Sequence, residues 1–375
     1  MGNPYRSTRI FVHAGMTSQH ERRFLQGVFQ YAKEQTPAWS VRWGSGFHPA
    51  LLLDMQNKDG VITFGANAQD KQKLETLGLP IVNFSSINLP WSSVASVTPD
   101  NEAIGRLAAE YFLERLHRNF LFVGAVGHPY SRERLEGFRK RLAGLEVAVL
   151  DNYPEGQEAE AYLAKVLSQL PRPLAVFTAN DLFARRVCGV AVAQGMAVPE
   201  EVAILGVDRE DLVSLSSPVP LSSVDVDSER MGRRAAEILN GIFQGTLPAT
   251  SQERFPPCGV VTQLSTDTLA TDDAGLVKAL RFIREEAFHK IQVEDVARHA
   301  GVGRRSLERK FKDLVGKSID QSIRQTRLDR ARILLRESRL SLDDIADRCG
   351  FSSTDYFSKV FKAHTGQTPA TFRRG

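Results

Sequence analysis

Short apolar runs alternate with longer amphipathic stretches from Thr8 to about Leu264. RIFVHA (Arg9 to Ala14), WSVRW, GVITF and PIVNF are rich in β-branched and aromatic residues between turn formers, which predicts strands. Between them, Glu21 to Lys33, His48 to Gln56 and Gln69 to Leu77 carry helical spacing. A helix through Arg115 follows SVASVTPDN. The alternation then resumes with strands FLFVG, VAVL, LAVFT and VAILGV, separated by helices near Arg132 to Leu142, Glu158 to Leu170 and Leu182 to Gln194. SSVDVD, a helix from Ser228 to Phe243 and the strand GVVTQL close the series. Such βα units in series predict parallel sheets covered on both faces. One sheet of about ten strands would be unusually wide, so two lobes are expected.

From Val293 the pattern becomes helical and is written twice. VEDVARHAGVGRRSLERKFKDLVGKSI aligns with LDDIADRCGFSSTDYFSKVFKAHTGQTP at an offset of 49 residues up to the turn glycine and 50 after it. Ala297 pairs with Ala346, Gly301 with Gly350, Leu307 with Phe357, Arg309 with Lys359, Phe311 with Phe361 and Gly316 with Gly366. A small Ala lets two helices cross closely, and a Gly four residues later permits the left-handed backbone of a tight turn. These are two helix-turn-helix units.

At about 100° per residue, Leu307, Phe311 and Leu314 form an inward stripe in the first copy, and Phe357, Phe361 and His364 in the second. Arg304, Arg305, Glu308, Arg309 and Lys312 are left outside, with Thr354, Asp355, Ser358 and Lys359 as counterparts. Arg and Lys clamp guanine edges or phosphates, and Asp, Glu, Ser and Thr serve other bases, so both faces suit a major groove. On a lone helix a charged, solvated face would look alike; the duplicated turn with matched outer faces argues for DNA. Gly303 stands where a Ser or Thr cap is usual. Ser318 to Glu337, with Ile319, Ile323, Leu328, Ala331, Ile333, Leu334 and Leu335 apolar, predicts one connecting helix.

Charge separates the two regions. From Gly275 onward there are 22 Lys and Arg against 13 Asp and Glu, a net +9, whereas the preceding residues carry a net −5. A basic tail on a slightly acidic body fits nucleic-acid contact by the tail and another task for the body. The isolated Cys188, Cys258 and Cys349 imply a reducing compartment and no metal site. No apolar run reaches membrane-span length and no signal-peptide pattern is present, so the expected location is the cytoplasm.

Polar residues recur where the predicted strands end: Asp100 and Asn101, Arg132 and Arg134, Asn180 and Asp181, Asp208 and Asp211. Ligands of open α/β sheets bind at those ends, but Asp and Asn are also favoured helix N-caps. Recurrence in both halves favours a binding cleft. His13 reads as a satisfied strand residue, and the Trp91 ring serves either packing or stacking on a ligand.

The segment from about Gly275 to Arg374, above all IADRCGFSSTDYFSKVFKAHTGQTPATFR, resembles the DNA-binding domain of the AraC family. That resemblance implies two recognition helices about one duplex turn apart. TPDNEAIG, RERLEGF, TANDLFA, LGVDRED and SSVDVDSERMGRRAAE resemble the sugar-binding core of the LacI family and its periplasmic-binding-protein relatives. Carried over by position, that second resemblance implies sugar contacts from Asp100, Arg134, Asn180 and Asp208, with the His20, Glu21 and Arg22 turn entering the cleft from the first lobe. Val226 occupies a place where those relatives often carry Gln, and Asp225 is the expected substitute. The LacI-type N-terminal helix-turn-helix is not seen, since about seven residues precede the first strand.

The combined expectation is an α/β two-lobed periplasmic-binding-protein-like sensor with parallel sheets at 1–265, a linker at 266–275 and an all-α domain with two helix-turn-helix units at 276–375. This order resembles the xylose-operon regulator type of the AraC class. It implies operator or promoter DNA as partner, a small sugar effector of pentose type, activation of catabolic genes, a homodimer and contact with RNA polymerase. It implies no cofactor, no metal and no catalytic residue. A repressor answering another sugar is the alternative within this class. An α/β enzyme with a basic tail is the alternative outside it, but no GxGxxG, Walker loop, HExxH or GxSxG occurs, and GAVG at Gly124 to Gly127 is too short to cradle a phosphate.

Overall fold

The computed structural model describes residues 7–46, 49–64, 68–87, 91–151, 157–271, 273–289 and 291–374. His48, the expected start of a helix, lies outside them. The chain divides into two compact units: Met1–Ala109 with Asn119–Asp267, and Glu110–Arg118 with Thr268–Gly375.

In the first unit the chain runs β1 (Arg9–His13), α1 (Gln19–Glu34), β2 (Ser40–Gly44), α2 (Pro49–Gln56), β3 (Gly60–Thr63), α3 (Ala68–Glu75), β4 (Ile81–Asn83) and β5 (Ala95–Pro99). It leaves this lobe at Asp100 through α4 (Asn101–Glu114) and continues with β6 (Asn119–Gly124), α5 (Pro129–Arg141), β7 (Val147–Asp151), α6 (Gln157–Gln169), β8 (Leu174–Thr178), α7 (Asp181–Ala193), β9 (Val202–Val207), α8 (Asp211–Leu215) and β10 (Ser222–Asp225). It returns as α9 (Ser228–Phe243) and β11 (Gln252–Phe255), then crosses back to β12 (Gly259–Val261).

Two six-stranded sheets result, in the orders β11-β5-β4-β3-β1-β2 and β12-β10-β9-β8-β6-β7. All pairings are parallel except the edge pair β10 with β12. The expected two lobes of parallel sheet are thus present. Each has its own core: Val12, Phe24, Phe84 and Leu239 are buried in the first, and Leu121, Leu163, Val176 and Ile204 in the second. β11 and α8 were not anticipated. QERF has a single apolar residue, Phe255, and DLVSL spans little more than one turn and buries none of its residues, so neither shows a readable period.

From Ala274 onward the second unit is helical: α10 (Ala274–Glu286), α11 (Val293–Ala300), α12 (Arg304–Lys310) running into a π turn at Phe311–Val315, α13 (Ile319–Glu337), α14 (Leu342–Arg348), α15 (Thr354–Thr365) and α16 (Pro369–Arg374). α13 is the expected connecting helix, opened by Ser318, whose hydroxyl accepts from Gln321 N while Gln321 Oε1 accepts from Ser318 N. Leu307, Phe311, Phe357 and Phe361 are fully buried as expected.

Two inward assignments are corrected, and one apolar residue of α13 lies outside the core. Leu314 is 42% exposed, because the wider π turn rotates a residue three places past Phe311 away from the core. His364 is exposed in the last turn of α15. Ile333 is exposed because Leu328, Ala331 and Leu335 set the buried face of α13 and Ile333 falls on the opposite side.

Candidate effector cleft and nucleic-acid interface

Strand ends of both lobes of the sensor converge on Arg134. It is 3% exposed; its Nε donates to Asn101 Oδ1 at 3.0 Å, Nη1 donates to the carbonyl of Ala179, and Nη2 lies 3.6 Å from Asp208 Oδ1. One turn earlier on α5, Tyr130 lies under the guanidinium at 5.2 Å from the ring centre and is hydrogen-bonded to Asn180. Burial pushes the Tyr130 phenol up. The structure therefore brings Arg134, Asp208 and Asn180 together around Tyr130, which sequence reasoning missed. The signal was its spacing four residues before Arg134 in PYSRERLEGF.

Asp208 and Arg209 leave β9 at φ values of 99° and 54°, a strained left-handed conformation for non-glycine residues. A buried carboxylate holds them there. Asp181 accepts from Glu210 N at 2.8 Å and from Ser223 Oγ at 2.8 Å, and Ser223 Oγ in turn accepts from Arg209 N at 2.9 Å. Residue 206 must be Gly, since a Cβ there would lie 1.9 Å from Asp181 Oδ1. Burial raises the Asp181 carboxyl well above its usual range. Arg209 continues the chain of contacts to Asp225, Nη1 to Oδ2 at 2.7 Å, while Val226 is buried.

Asp100 and Asn180 also serve as helix caps, accepting from Ala103 N at 3.0 Å and Phe183 N at 3.2 Å. On the first lobe, His20 is 8% exposed, pairs with Ser228 Oγ at 2.8 Å and packs against Phe64 and Phe84. Burial lowers its pKa, against the Asp208 charge and with that of Arg134, so it belongs electrostatically to the same cluster. Glu21 is not brought to that cluster. Its carboxylate accepts from the backbone of Gly15, Thr17 and Ser18 and from the hydroxyls of Thr17 and Ser18. Burial alone would raise its pKa, but those bonds more than offset it. Arg22 donates to Met16 O at 3.1 Å and reaches within 3.9 Å of Glu210. His13 is satisfied by Thr63 and Gly46, and Trp91 is a core residue whose Nε1 donates to Glu75 at 2.7 Å.

In the helical unit Arg305, Glu308, Arg309, Lys312, Asp355 and Lys359 are exposed, Thr354 and Ser358 are half-buried, and Tyr356 adds a 42% exposed ring to the second face. Among the described residues, Arg305, Arg309, Lys312 and Lys359 make no ion pair. Arg304 is instead held by Glu294 and by Glu308, the latter at 2.9 Å. The turn glycines Gly301 and Gly350 have φ of 66° and 75°, the left-handed conformation that the duplicated motif requires.

Among the described residues no helix is long and apolar enough to cross a membrane, and no group of His, Cys, Asp and Glu is placed to hold a metal. Residues 109–266 match the periplasmic binding protein-like domain family, and residues 296–375 match a helix-turn-helix domain family. The chain is 30% identical to the xylose operon regulatory protein of Escherichia coli K12, over 97% of this chain and 96% of that protein. It is 26% identical to the protein of that name from Haemophilus influenzae, over 94% and 95% of the two chains. The solved structure of the xylose-binding transcription activator xylR matches with a TM-score of 0.65 at 28% identity, covering 99% of both chains. The complex of the regulator CelR with cellobiose shares the fold over 70% of this chain and 86% of that one, with a TM-score of 0.56 at 24% identity. The matches to the two xylose operon regulatory proteins, which run over nearly the full length of both chains, establish with the two domain matches that the chain belongs to the xylose operon regulatory protein family, transcription regulators rather than enzymes, in which a sugar-responsive sensor precedes a helix-turn-helix DNA-binding domain.

Proposed function

We propose that this chain senses a pentose of D-xylose type and, when loaded, activates transcription of catabolic genes in the cytoplasm as a homodimer that contacts RNA polymerase. The observation that carries the reading is the cluster of Arg134, Asp208, Asn180 and Tyr130, set in a chain that is similar to two xylose operon regulatory proteins over almost their whole lengths. Paired hydrogen-bond donors and acceptors beside an aromatic ring suit the hydroxyls and the apolar face of a sugar. His20 and Asp100 complete the cleft in this reading, Asp225 orients Arg209, and Glu21 shapes the loop that leads into α1, where His20 lies. Arg22 is placed at the rim.

On the DNA side, Arg305, Arg309, Lys312 and Lys359 contact bases or phosphates, assisted by Thr354, Asp355 and Ser358, while Arg304 and Glu308 brace each other at the edge of the first face. Calorimetric titration of the full chain with D-xylose, L-arabinose, D-ribose and D-glucose tests the effector. D-Xylose is expected to bind most tightly, and Asp208→Ala to lose about 1 to 3 kcal/mol of that affinity by leaving its partners unpaired. Equal or absent binding of all four sugars removes the pentose assignment.

A further inference from the structure

The segment that leaves β9 belongs to the second lobe, yet its side chains end on α1 of the first. Glu210 Oε1 accepts from the backbone N–H of both Gln19 and His20, the latter at 3.1 Å. Its other oxygen faces Arg22 at 3.9 Å. Beside it, Gln19 and Asp211 exchange two hydrogen bonds, Nε2 to Oδ2 at 2.6 Å and Asp211 N to Oε1 at 2.8 Å, and Arg23 reaches Asp211 at 3.3 Å. The first N–H groups of any helix lack intrahelical partners and favour a negative charge. At α1, Ser18 Oγ takes Glu21 N and the Ser18 carbonyl takes Arg22 N. Gln19 and His20 are thus served by a carboxylate from the opposite lobe. That carboxylate is only 11% exposed, and its backbone is pinned by the buried Asp181. Opening the cleft would strip these N–H groups of their partner.

We propose that Glu210 is the closure clasp of the sensor, a positioning residue that raises effector affinity by holding the two lobes together without touching the effector. The proposal rests on the sugar-sensing reading only for its affinity arm. A clasp of this kind stabilises the closed form in the free and the loaded protein alike, so its removal lowers affinity by depopulating the binding-competent form.

The test uses the full chain with spin labels at Lys33→Cys and Gln194→Cys, two exposed positions on opposite lobes, in the last turn of α1 and at the C-cap of α7, in a Cys258→Ser background. Distance distributions are recorded for the parent, Glu210→Ala and Glu210→Gln, without sugar and with saturating D-xylose. Glu210→Ala is expected to shift the sugar-free distribution to longer distances, to recover the short distance when saturated, and to raise the Kd for D-xylose about tenfold by lowering the competent fraction. Glu210→Gln keeps an acceptor oxygen, retains the fold and is expected to fall between the two. Distributions for Glu210→Ala that match the parent overturn the clasp, as does an unchanged Kd. Should the parent bind no pentose, the effector reading fails, while the sugar-free distances still decide the clasp.

Discussion

In both helix-turn-helix copies the first residue of the recognition helix is tied to an acid in the preceding helix, Arg304 to Glu294 and Thr354 to Asp343. The copies differ in what supports them. The first starts its recognition helix at Gly303 with no side-chain cap, widens into a π turn after seven residues and builds its core with Leu116 from the Glu110–Arg118 segment. Arg118 also donates to Leu314 O at 3.0 Å, and Lys317 pairs with Glu114 in that segment at 2.5 Å. The second copy is capped by Ser353, whose hydroxyl accepts from Tyr356 N at 3.2 Å, runs twelve regular residues and packs Phe357 and Phe361 against its own Phe351 and Phe372. The first copy displays the free arginines. A face rich in charge but lean in internal support is stabilised from a distant segment of the chain, whereas the core of its counterpart is built from α13 to α16.

Four perturbations break or sharpen this contrast. The largest effect is expected at the turn glycines. A Cβ at Gly350 would lie 2.7 Å from the Phe288 carbonyl oxygen, whereas at Gly301 it meets nothing within 4 Å. Gly350→Ala therefore adds a clash to the left-handed strain and should cost about 2 to 5 kcal/mol, against about 1 to 2 for Gly301→Ala. Urea unfolding of the full chain measures both, and equal losses would erase the distinction.

The second perturbation acts on the segment that braces the first copy. His117 is fully buried against Phe112, and neither ring nitrogen has a hydrogen-bond partner among the described residues. Burial, aided by Arg115 and Arg118, lowers its pKa to about 4 from 6.5. Between those values the unfolded chain binds more protons than the native one. Stability is therefore fully present above about pH 6.5 and falls as the pH drops toward 4, by up to about 3 kcal/mol. His117→Leu should flatten that part of the pH profile of unfolding, and an unchanged slope would show that His117 does not set it.

Third, the free arginine of the first copy should matter more for sequence than its counterpart. Arg309→Ala is expected to cost about 1 to 3 kcal/mol of operator binding and to relax specificity in one half of the site, whereas Lys359→Ala should weaken all sequences alike and reduce the salt dependence. Binding titrations on operator and mismatched duplexes at several salt concentrations separate the two outcomes. The smallest effect is at the caps. Ser353→Ala should lose about 1 kcal/mol of stability, while Gly303→Ser should gain only a few tenths. A larger gain at Gly303 would mean that the first recognition helix is more weakly held than its braced core implies.

Much of this was legible because periodicity reports burial. The α9 limits, the alternation of strands with helices and the duplicated turn glycines all follow from repeated apolar spacing. What stayed hidden depends on long-range packing or on polar contacts with no local pattern. β11 is an edge strand whose partner lies over 150 residues away in β5, and α8 exposes both Leu212 and Leu215. Nothing in YFLERLHR shows that Glu110–Arg118 groups with the helical unit. In the candidate cleft, Asp208 and Asn180 stood out through their places at strand ends, and Arg134, which lies inside α5, through the LacI-like motif. Tyr130 meets Asn180, and Glu210 meets the start of α1, only after folding, and the commitment of Glu21 to the loop before α1 needed the geometry of five short-range bonds. Leu314 shows the limit of a helical wheel, since one π turn changes the angle it assumes.

The central claim is that occupancy of the Arg134–Asp208 cleft controls DNA binding by the two helix-turn-helix copies. It is tested most directly by titrating wild type and Asp208→Ala onto an operator selected from random duplexes by the wild-type protein, with and without D-xylose. D-Xylose is expected to change wild-type operator affinity by about 1 to 3 kcal/mol and to leave that of Asp208→Ala unchanged, with the two proteins binding equally without sugar. A wild-type affinity indifferent to D-xylose, or a variant that has lost sugar-free DNA binding, would contradict it.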